Sequence, residues 1–367
     1  MFNITMSGRK TQHTFIFTTR EKFRLFGILF CEQILGKTRH KEAIQKKRDQ
    51  FFKTLNERLA SLPDGEVREI ELRRDLSIAD FRNLYFKKSK PVVFKAAAKE
   101  WPCCQKWDLG YFKNRLGQKD VLLVDVDGLS SQKTENKYEI LSVVDLVSNI
   151  TGGGKKYLRF SPLVEQNPEL AAELNLTWLN SLKSRWSIGN TYYLFMGGKK
   201  TVTHLHCDQP CNLFVQVYGK KKWTLISVDQ SLLVYPQATQ TAYFKSSADL
   251  SNCDFDKHPL IKKATRWEVI LEPGDVLYVP PHVWHHVENL SDTIGVGFRF
   301  SSFVAAMRSS PMFTFLRFCA QNPPMWKTRK YGRIDTNLIW ADANGNISEV
   351  LKNMNSRQVK SEKENSK

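Results

Sequence analysis

The stretch Thr201-Val-Thr-His-Leu-His-Cys-Asp208 decides the reading of this chain. Its composition suits a strand, and on a strand alternate side chains share a face. His206 and Asp208 then aim an imidazole and a carboxylate at one point. A further imidazole becomes available far downstream, in Val279-Pro-Pro-His-Val-Trp-His-His-Val287. Two His and one carboxylate on one face are the ligand set of a non-haem Fe(II) site with open positions. His204 shares the ideal strand face of His206 and Asp208, so a choice between the two imidazoles stays open. His282 and His286 compete with His285 in the same way, although His286 would face away from His285 on a strand. Cys207 should point away from any metal.

Working outward, the flanking region is rich in short strands. Tyr192–Met196 ends at Gly197-Gly198. Asn212–Tyr218 turns at Gly219 into Lys221–Ser227. Trp267–Leu271, the turn Glu272-Pro-Gly-Asp275, Val276–Val279, His286–Asn289 and Thr293–Phe300 follow. Many short strands with Gly/Pro turns in one region favour a sandwich or barrel over alternating βαβ units. Upstream, Val67–Leu72 alternates apolar and polar residues as a half-buried strand does. Ser77 with Asp80 three residues on marks a helix start. Pro91–Phe94, Asp120–Asp127 and Lys156–Phe160 read as strands, and Trp101, Trp107, Tyr111 and Phe112 read as core aromatics. No internal repeat is found.

Both ends look helical. Phe51, Leu55 and Leu59 recur at helical spacing within 23–60, and Phe23, Phe26, Leu29 and Phe30 supply a second apolar face. That pattern suits a helix packed on the main domain better than a membrane or partner helix. Ser61-Leu-Pro-Asp-Gly65 breaks it. A helical pattern runs from Phe303 to about Ala320 and stops at Asn322-Pro-Pro324. The resulting division is a basic, partly helical N-terminal extension (1–66), a main domain (67–302), a C-terminal helical region (303–351) and a polar, disordered tail (352–367).

The 367 residues carry a formal charge of +18, 41% apolar and 12% aromatic residues. About +6 of the charge falls in 1–66 and about +6 in 300–367. Basic ends can contact nucleic acid or an acidic surface. No nucleic-acid motif accompanies them, so a solvated, solubilising role is the reading adopted. Seven cysteines without a CxxC pair argue against a disulfide framework or zinc finger and for a reducing compartment, cytoplasmic or nuclear. The apolar run Phe23–Leu35 is interrupted by Arg24, Glu32 and Gln33 and is too short for a transmembrane segment.

Four pieces occur in order: Thr203-x-x-His206-x-Asp208; Asn212-Leu-Phe-Val-Gln-Val-Tyr-Gly-Lys-Lys-Lys-Trp223; Leu233-Val-Tyr-Pro236; and Glu272-Pro-Gly-Asp-Val-Leu-Tyr-Val-Pro-Pro-His-Val-Trp-His285. With the Pro-Val-Val and Trp-rich segment upstream, residues 67–302 resemble a JmjC/cupin-like Fe(II)- and 2-oxoglutarate-dependent oxygenase. The nearest type is the small JmjC protein hydroxylases, such as the hypoxia-inducible-factor asparaginyl hydroxylase. The resemblance implies a mainly β fold, a double-stranded β-helix (jelly roll) with helical additions at both ends. It implies catalytic metal ligands His206, Asp208 and His285. It implies a 2-oxoglutarate site of Lys221, Thr203 and Tyr157, with Asn212 and Phe214 lining it; Lys220 and Lys222 leave the lysine open by one position.

The implied cofactor is Fe(II), with 2-oxoglutarate and O2 as cosubstrates converted to succinate and CO2. The implied partner is a protein or peptide substrate hydroxylated on a side chain, and the helices after Phe303 imply a homodimer. Methyl-lysine demethylation uses the same chemistry. Two further classes are a metal-binding pseudoenzyme acting as a binding module and a cupin that works without 2-oxoglutarate. The chain departs from the pattern at Gly297, which stands where that hydroxylase type has an Asn, and at Ser227-Val228, which replace a Pro-Pro.

Overall fold

The computed structural model describes residues 17–36, 39–124, 138–239 and 243–321, together with Lys352. The expected disordered tail beyond Lys352, the Asn322-Pro-Pro324 stop and the end of the strand expected at 120–127 lie outside these residues. Two N-terminal helices, α1 (Thr19–Leu35) and α2 (Lys41–Leu59), precede the strands. In chain order the strands are β1 (Val67–Glu69), β2 (Leu72–Arg73), β3 (Val92–Phe94), β4 (Asp120–Val124), β5 (Tyr138–Ser142), β6 (Tyr157–Ser161), β7 (Ile188–Gly197) and β8 (Val202–Asp208). There follow β9 (Cys211–Tyr218), β10 (Lys221–Ile226), β11 (Pro236–Ala238), β12 (Tyr243–Ser246), β13 (Arg266–Leu271), β14 (Val276–Val279), β15 (Trp284–Asn289) and β16 (Thr293–Ser301).

Two seven-stranded sheets form, in the orders β1-β13-β10-β15-β8-β12-β11 and β2-β3-β14-β9-β16-β7-β6. Their centres, β13-β10-β15-β8 and β14-β9-β16-β7, are antiparallel throughout. Between β7 and β16 the chain crosses repeatedly from one sheet to the other, which is the winding of a double-stranded β-helix.

Each sheet is covered on both faces. Phe195, Phe214, Trp223, Leu225, Leu277 and Val287 fill the space between the sheets. Leu213, Val215 and Val217 of β9 point the other way, into a cluster with Phe94, Trp107, Phe112 and Leu146. This two-sided burial explains why β9 reads as a nearly continuous apolar run. On the second sheet, Leu205, Cys207, Phe244 and Trp284 meet Leu25, Leu29, Phe51, Phe52, Leu55 and Leu59 of α1 and α2.

Local chemistry sets these helices. Thr18 and Glu21 make a capping box at the start of α1. Buried Arg48 of α2 lies 3.5 Å from Glu32 of α1. Arg48 also donates to the Tyr235 carbonyl at 3.0 Å, and Glu32 accepts from the Ala238 amide at 2.9 Å. The pair therefore ties both helices to the β11 region.

Three local expectations differ from the structure. Val67–Leu72 is not one half-buried strand: β1 and β2 join different sheets, Val67 and Leu72 are exposed, and only Ile70 between them is buried. The helix expected to run through Phe303–Ala320 divides into Phe303–Ser309 and Pro311–Phe318. Pro311 cannot donate in a continuous helix, and Ser310 instead caps the second one. Finally, β15 begins at Trp284 rather than His286, which brings His285 onto a strand.

The turn from β9 to β10 fixes the register of Lys221. Gly219 holds φ +69°, and a Cβ there would collide with the Asp292 carbonyl oxygen. Gly219→Ala should lower stability on the order of 2 kcal/mol, since backbone strain adds to the clash. Urea denaturation of the variant checks this, and an unchanged midpoint would refute it.

Candidate metal centre and adjoining pocket

β8 and β15 lie side by side, with His206 opposite His285. Ligand atoms of His206, Asp208 and His285 all lie within 4.8 Å of one another, and the two imidazole centroids are 4.1 Å apart. The Nδ1 atoms face main-chain carbonyls: His206 to His204 at 2.8 Å, His285 to Val283 at 3.0 Å. Those carbonyls only accept, so each Nδ1 carries the proton and each Nε2 keeps its lone pair. Burial holds His206 well below its usual pKa, helped by the nearby His285, and pushes His285 down to about 4. Both rings are neutral at physiological pH, the form that ligates a metal.

The competing histidines are engaged elsewhere. His204 meets Asp249 at 3.2 Å, and its ring lies near that of His286. His286 contacts the Ser251 hydroxyl at 3.3 Å. His282 sits in a left-handed turn at φ +61° and meets Thr314 at 3.0 Å. Cys207 is fully buried on the face against the helices.

A bulge settles which face Thr203 occupies. His285 pairs with His206 but Val287 pairs with Thr203, so β8 carries one extra residue between the two pairs. Thr203 and His206 therefore line the same pocket, which strict alternation forbids. Tyr157, Asn212, Phe214 and Lys221 line it with them, alongside Asp208 and His285.

Lys221 is completely buried. Its ammonium lies 3.0 Å from the Tyr157 hydroxyl and 5.3 Å from the centre of the Phe214 ring. Among the described residues no carboxylate pairs with it, whereas Lys220 and Lys222 reach Glu272 and Glu268 at 2.9 and 2.7 Å. Burial raises the Tyr157 phenol's pKa, but the Lys221 ammonium and hydrogen bonds with Lys221 and Thr203 outweigh it and leave it below its ordinary value. The buried Asn212 Oδ1 and Trp223 Nε1 have no hydrogen-bond partner. A buried ammonium, two hydroxyls and the unpartnered Trp223 N–H form a cradle for an anion.

Residues without an assigned role in the sequence complete the pocket: Phe160, Phe195, Trp223, Val287 and Arg299. Arg299 is ion-paired with Asp208 and its guanidinium lies 5.3 Å from the Phe160 ring centre. Phe160 adopts φ +53°, a costly conformation for a non-glycine residue, beside an irregularity in β6. Alternation along β16 was the available signal for Arg299, because it lies two residues beyond Gly297. Across the sheet Arg299 pairs with Asn212, and Gly297 pairs with Phe214. A Cβ at Gly297 would lie 3.2 Å from Phe195 Cε2 and 3.3 Å from Asn212 Oδ1. Glycine thus suits the close approach here.

A jelly-roll barrel that encloses a His-Asp-His cluster defines a cupin-type scaffold with a candidate metal centre. The chain belongs to the cupin-like domain family, whose match spans residues 78–306. It is 30% identical over 244 residues to JmjC domain-containing protein D of Dictyostelium discoideum, covering 61% of this chain and 54% of that protein. Lysine-specific demethylase 8 of Xenopus tropicalis is 28% identical over 231 residues, covering 61% and 51%. Arginine-specific demethylase JMJ20 of Arabidopsis thaliana is 27% identical over 267 residues, covering 63% and 56%. The chain spans about half the length of the curated relatives it matches. No described helix is long and apolar enough to cross a membrane.

Proposed function

We propose that this protein is an Fe(II)- and 2-oxoglutarate-dependent oxygenase that hydroxylates a side chain of a protein or peptide. The observation that carries the reading is one pocket with two compartments. At one end His206, Asp208 and His285 converge. At the other, Lys221, Tyr157 and Thr203 surround a buried positive charge with no carboxylate partner among the described residues. A hard dicarboxylate fits that pairing, one carboxylate at the metal and the other at the lysine.

His206, Asp208 and His285 would hold the ion by two Nε2 atoms and a carboxylate oxygen, leaving coordination positions for small oxygen ligands. When bound, Fe(II) with 2-oxoglutarate activates O2: the substrate C–H becomes C–OH as 2-oxoglutarate and O2 become succinate and CO2. The protein's own contribution is positioning. The main-chain carbonyls of His204 and Val283 lock both imidazole tautomers. Lys221 orients the distal carboxylate, with hydroxyls from Tyr157 and Thr203 beside it. Phe195, Phe214 and Trp223 keep that compartment dry, which strengthens each ionic contact.

The names of the relatives favour a second reading, removal of N-methyl groups by hydroxylation of the methyl carbon. A screen of peptides and lysate with Fe(II) and 2-oxoglutarate separates the two by mass: gain of one oxygen for hydroxylation, loss of one CH2 for demethylation. Stoichiometric succinate with an oxygen-bearing product is the expected result. Absence of succinate from metal-loaded protein would refute both.

A further inference from the structure

We propose that Arg299 selects an anionic side chain as the group oxidised, an inference that rests on the oxygenase reading above. Arg299 lies on β16, between β7 and β9, and its guanidinium faces the same pocket as His206 and His285. It is nearly buried, with a side-chain exposure of 13%. Among the described residues its ion-pair partner is Asp208, the carboxylate of the metal cluster. Its Nε has no hydrogen-bond partner. The ring of Phe160, held in its left-handed conformation, lies against the guanidinium and fixes it in place.

Charge counting shows why this arrangement bears on substrate. One Asp208 oxygen can hold a metal ion while the other stays on Arg299, but the single negative charge of Asp208 cannot offset both. In the loaded pocket the divalent ion, Lys221 and Arg299 bring four positive charges, while the 2-oxoglutarate dianion and Asp208 bring three negative ones. One positive charge is left in excess in a buried pocket where Arg299 carries an unused Nε donor. Burying such a charge is costly, so the loaded site favours a ligand that brings the missing negative charge. A guanidinium also offers paired N–H donors that match two oxygens of one group. The group adjoining the oxidised carbon is accordingly a carboxylate or a phosphate: an Asp, a Glu or a phosphorylated residue. Arg159, whose guanidinium lies 5.7 Å from the Tyr157 ring centre, adds a further positive charge beside the pocket. A methyl-lysine or arginine side chain would bring a cation towards both.

The test loads the full chain with Mn(II), which does not turn over, and 2-oxoglutarate. It then presents a pool of capped peptides that share Gly/Ser flanks and differ at the centre: Asp, Glu, phosphoserine, Asn, Gln, Arg or trimethyl-lysine. Retained peptides are quantified by mass spectrometry. The wild type should retain the anionic centres about tenfold over Asn and Gln, and the cationic centres least. Whether Asp/Glu or phosphoserine dominates identifies the source of the anion. Arg299→Gln should lose the preference while still binding Mn(II) and 2-oxoglutarate. Arg299→Lys, which keeps the charge, should keep a weaker preference.

Equal retention of Asp and Asn by the wild type overturns the inference. So does preferential retention of a cationic centre, or an undiminished acid preference in Arg299→Gln. Should Arg299→Gln not fold, the wild-type ranking still decides. Failure to bind Mn(II) and 2-oxoglutarate at all refutes the oxygenase reading itself. Binding of both without an anionic preference refutes this inference alone.

Discussion

Replacing His206 with Ala removes one of two neutral imidazoles from the centre, and metal binding should fall by more than about a hundredfold. Loss of a hydrogen-bond partner behind a ligand costs about 10–100-fold in affinity or activity, and loss of the ligand itself should exceed that. Conversion of 2-oxoglutarate should disappear with it. The fold should survive, because His206 faces the pocket and the core contacts of β8 come from Leu205 and Cys207. Asp208→Ala should behave differently. It removes a ligand and also strands Arg299, a nearly buried guanidinium paired with that carboxylate. Breaking such a pair costs about 3–5 kcal/mol. Asp208→Ala should therefore lose both metal and thermal stability, while His206→Ala loses chiefly metal. Calorimetric Mn(II) titration with thermal melts separates the two, and equal stability loss in both variants would argue against the Arg299 pairing.

The second large effect concerns Lys221. In the free protein its ammonium is buried against aromatic rings with one phenolic partner, an expensive state for a charge. Lys221→Met keeps most of the side chain's bulk and removes the charge. Stability should hold or rise, because an isosteric apolar replacement relieves desolvation. Affinity for 2-oxoglutarate should fall by about 2–5 kcal/mol, or about 30-fold to several thousandfold, as expected for losing one partner of a buried charge pair. The opposite signs matter. A lysine that merely supports the barrel would lose stability on substitution and leave 2-oxoglutarate binding unchanged. Thermal melts and 2-oxoglutarate titration of Mn(II)-loaded protein distinguish these outcomes.

Much of the barrel was legible because its signals are local. Gly219, Gly274 and the Gly/Pro turns bracket short strands, and a run such as Asn212–Tyr218 reads as a strand from composition alone. Among the candidate metal residues, His206 and Asp208 were legible as a pair two apart on one strand, whereas the choice of His206 over His204 and of His285 over His282 and His286 rested on the resemblance. Three things were not legible. The bulge in β8 depends on pairing with β15, a strand far along the chain; no local pattern marks it, and only the role that the resemblance implies for Thr203 required a bend between Thr203 and His206. Lys221 could not be told from Lys220 and Lys222, because only their partners Glu272 and Glu268 draw the other two outward. Arg299 gained no role because its meaning comes from Asp208 and Phe160, residues distant in the chain. The short strands at 67–73 failed for a related reason: sheet membership, not alternation, decides which of their residues are buried.

The proposed oxygenase needs one pocket that couples the His-Asp-His centre to 2-oxoglutarate. The most direct measurement is release of CO2 from carboxyl-labelled 2-oxoglutarate by purified protein under air with Fe(II). Wild-type protein should release CO2 until the metal is chelated, His206→Ala should release none, and Lys221→Met should release far less. No release from wild-type protein shown to hold one metal ion, or equal release from His206→Ala, would contradict that coupling.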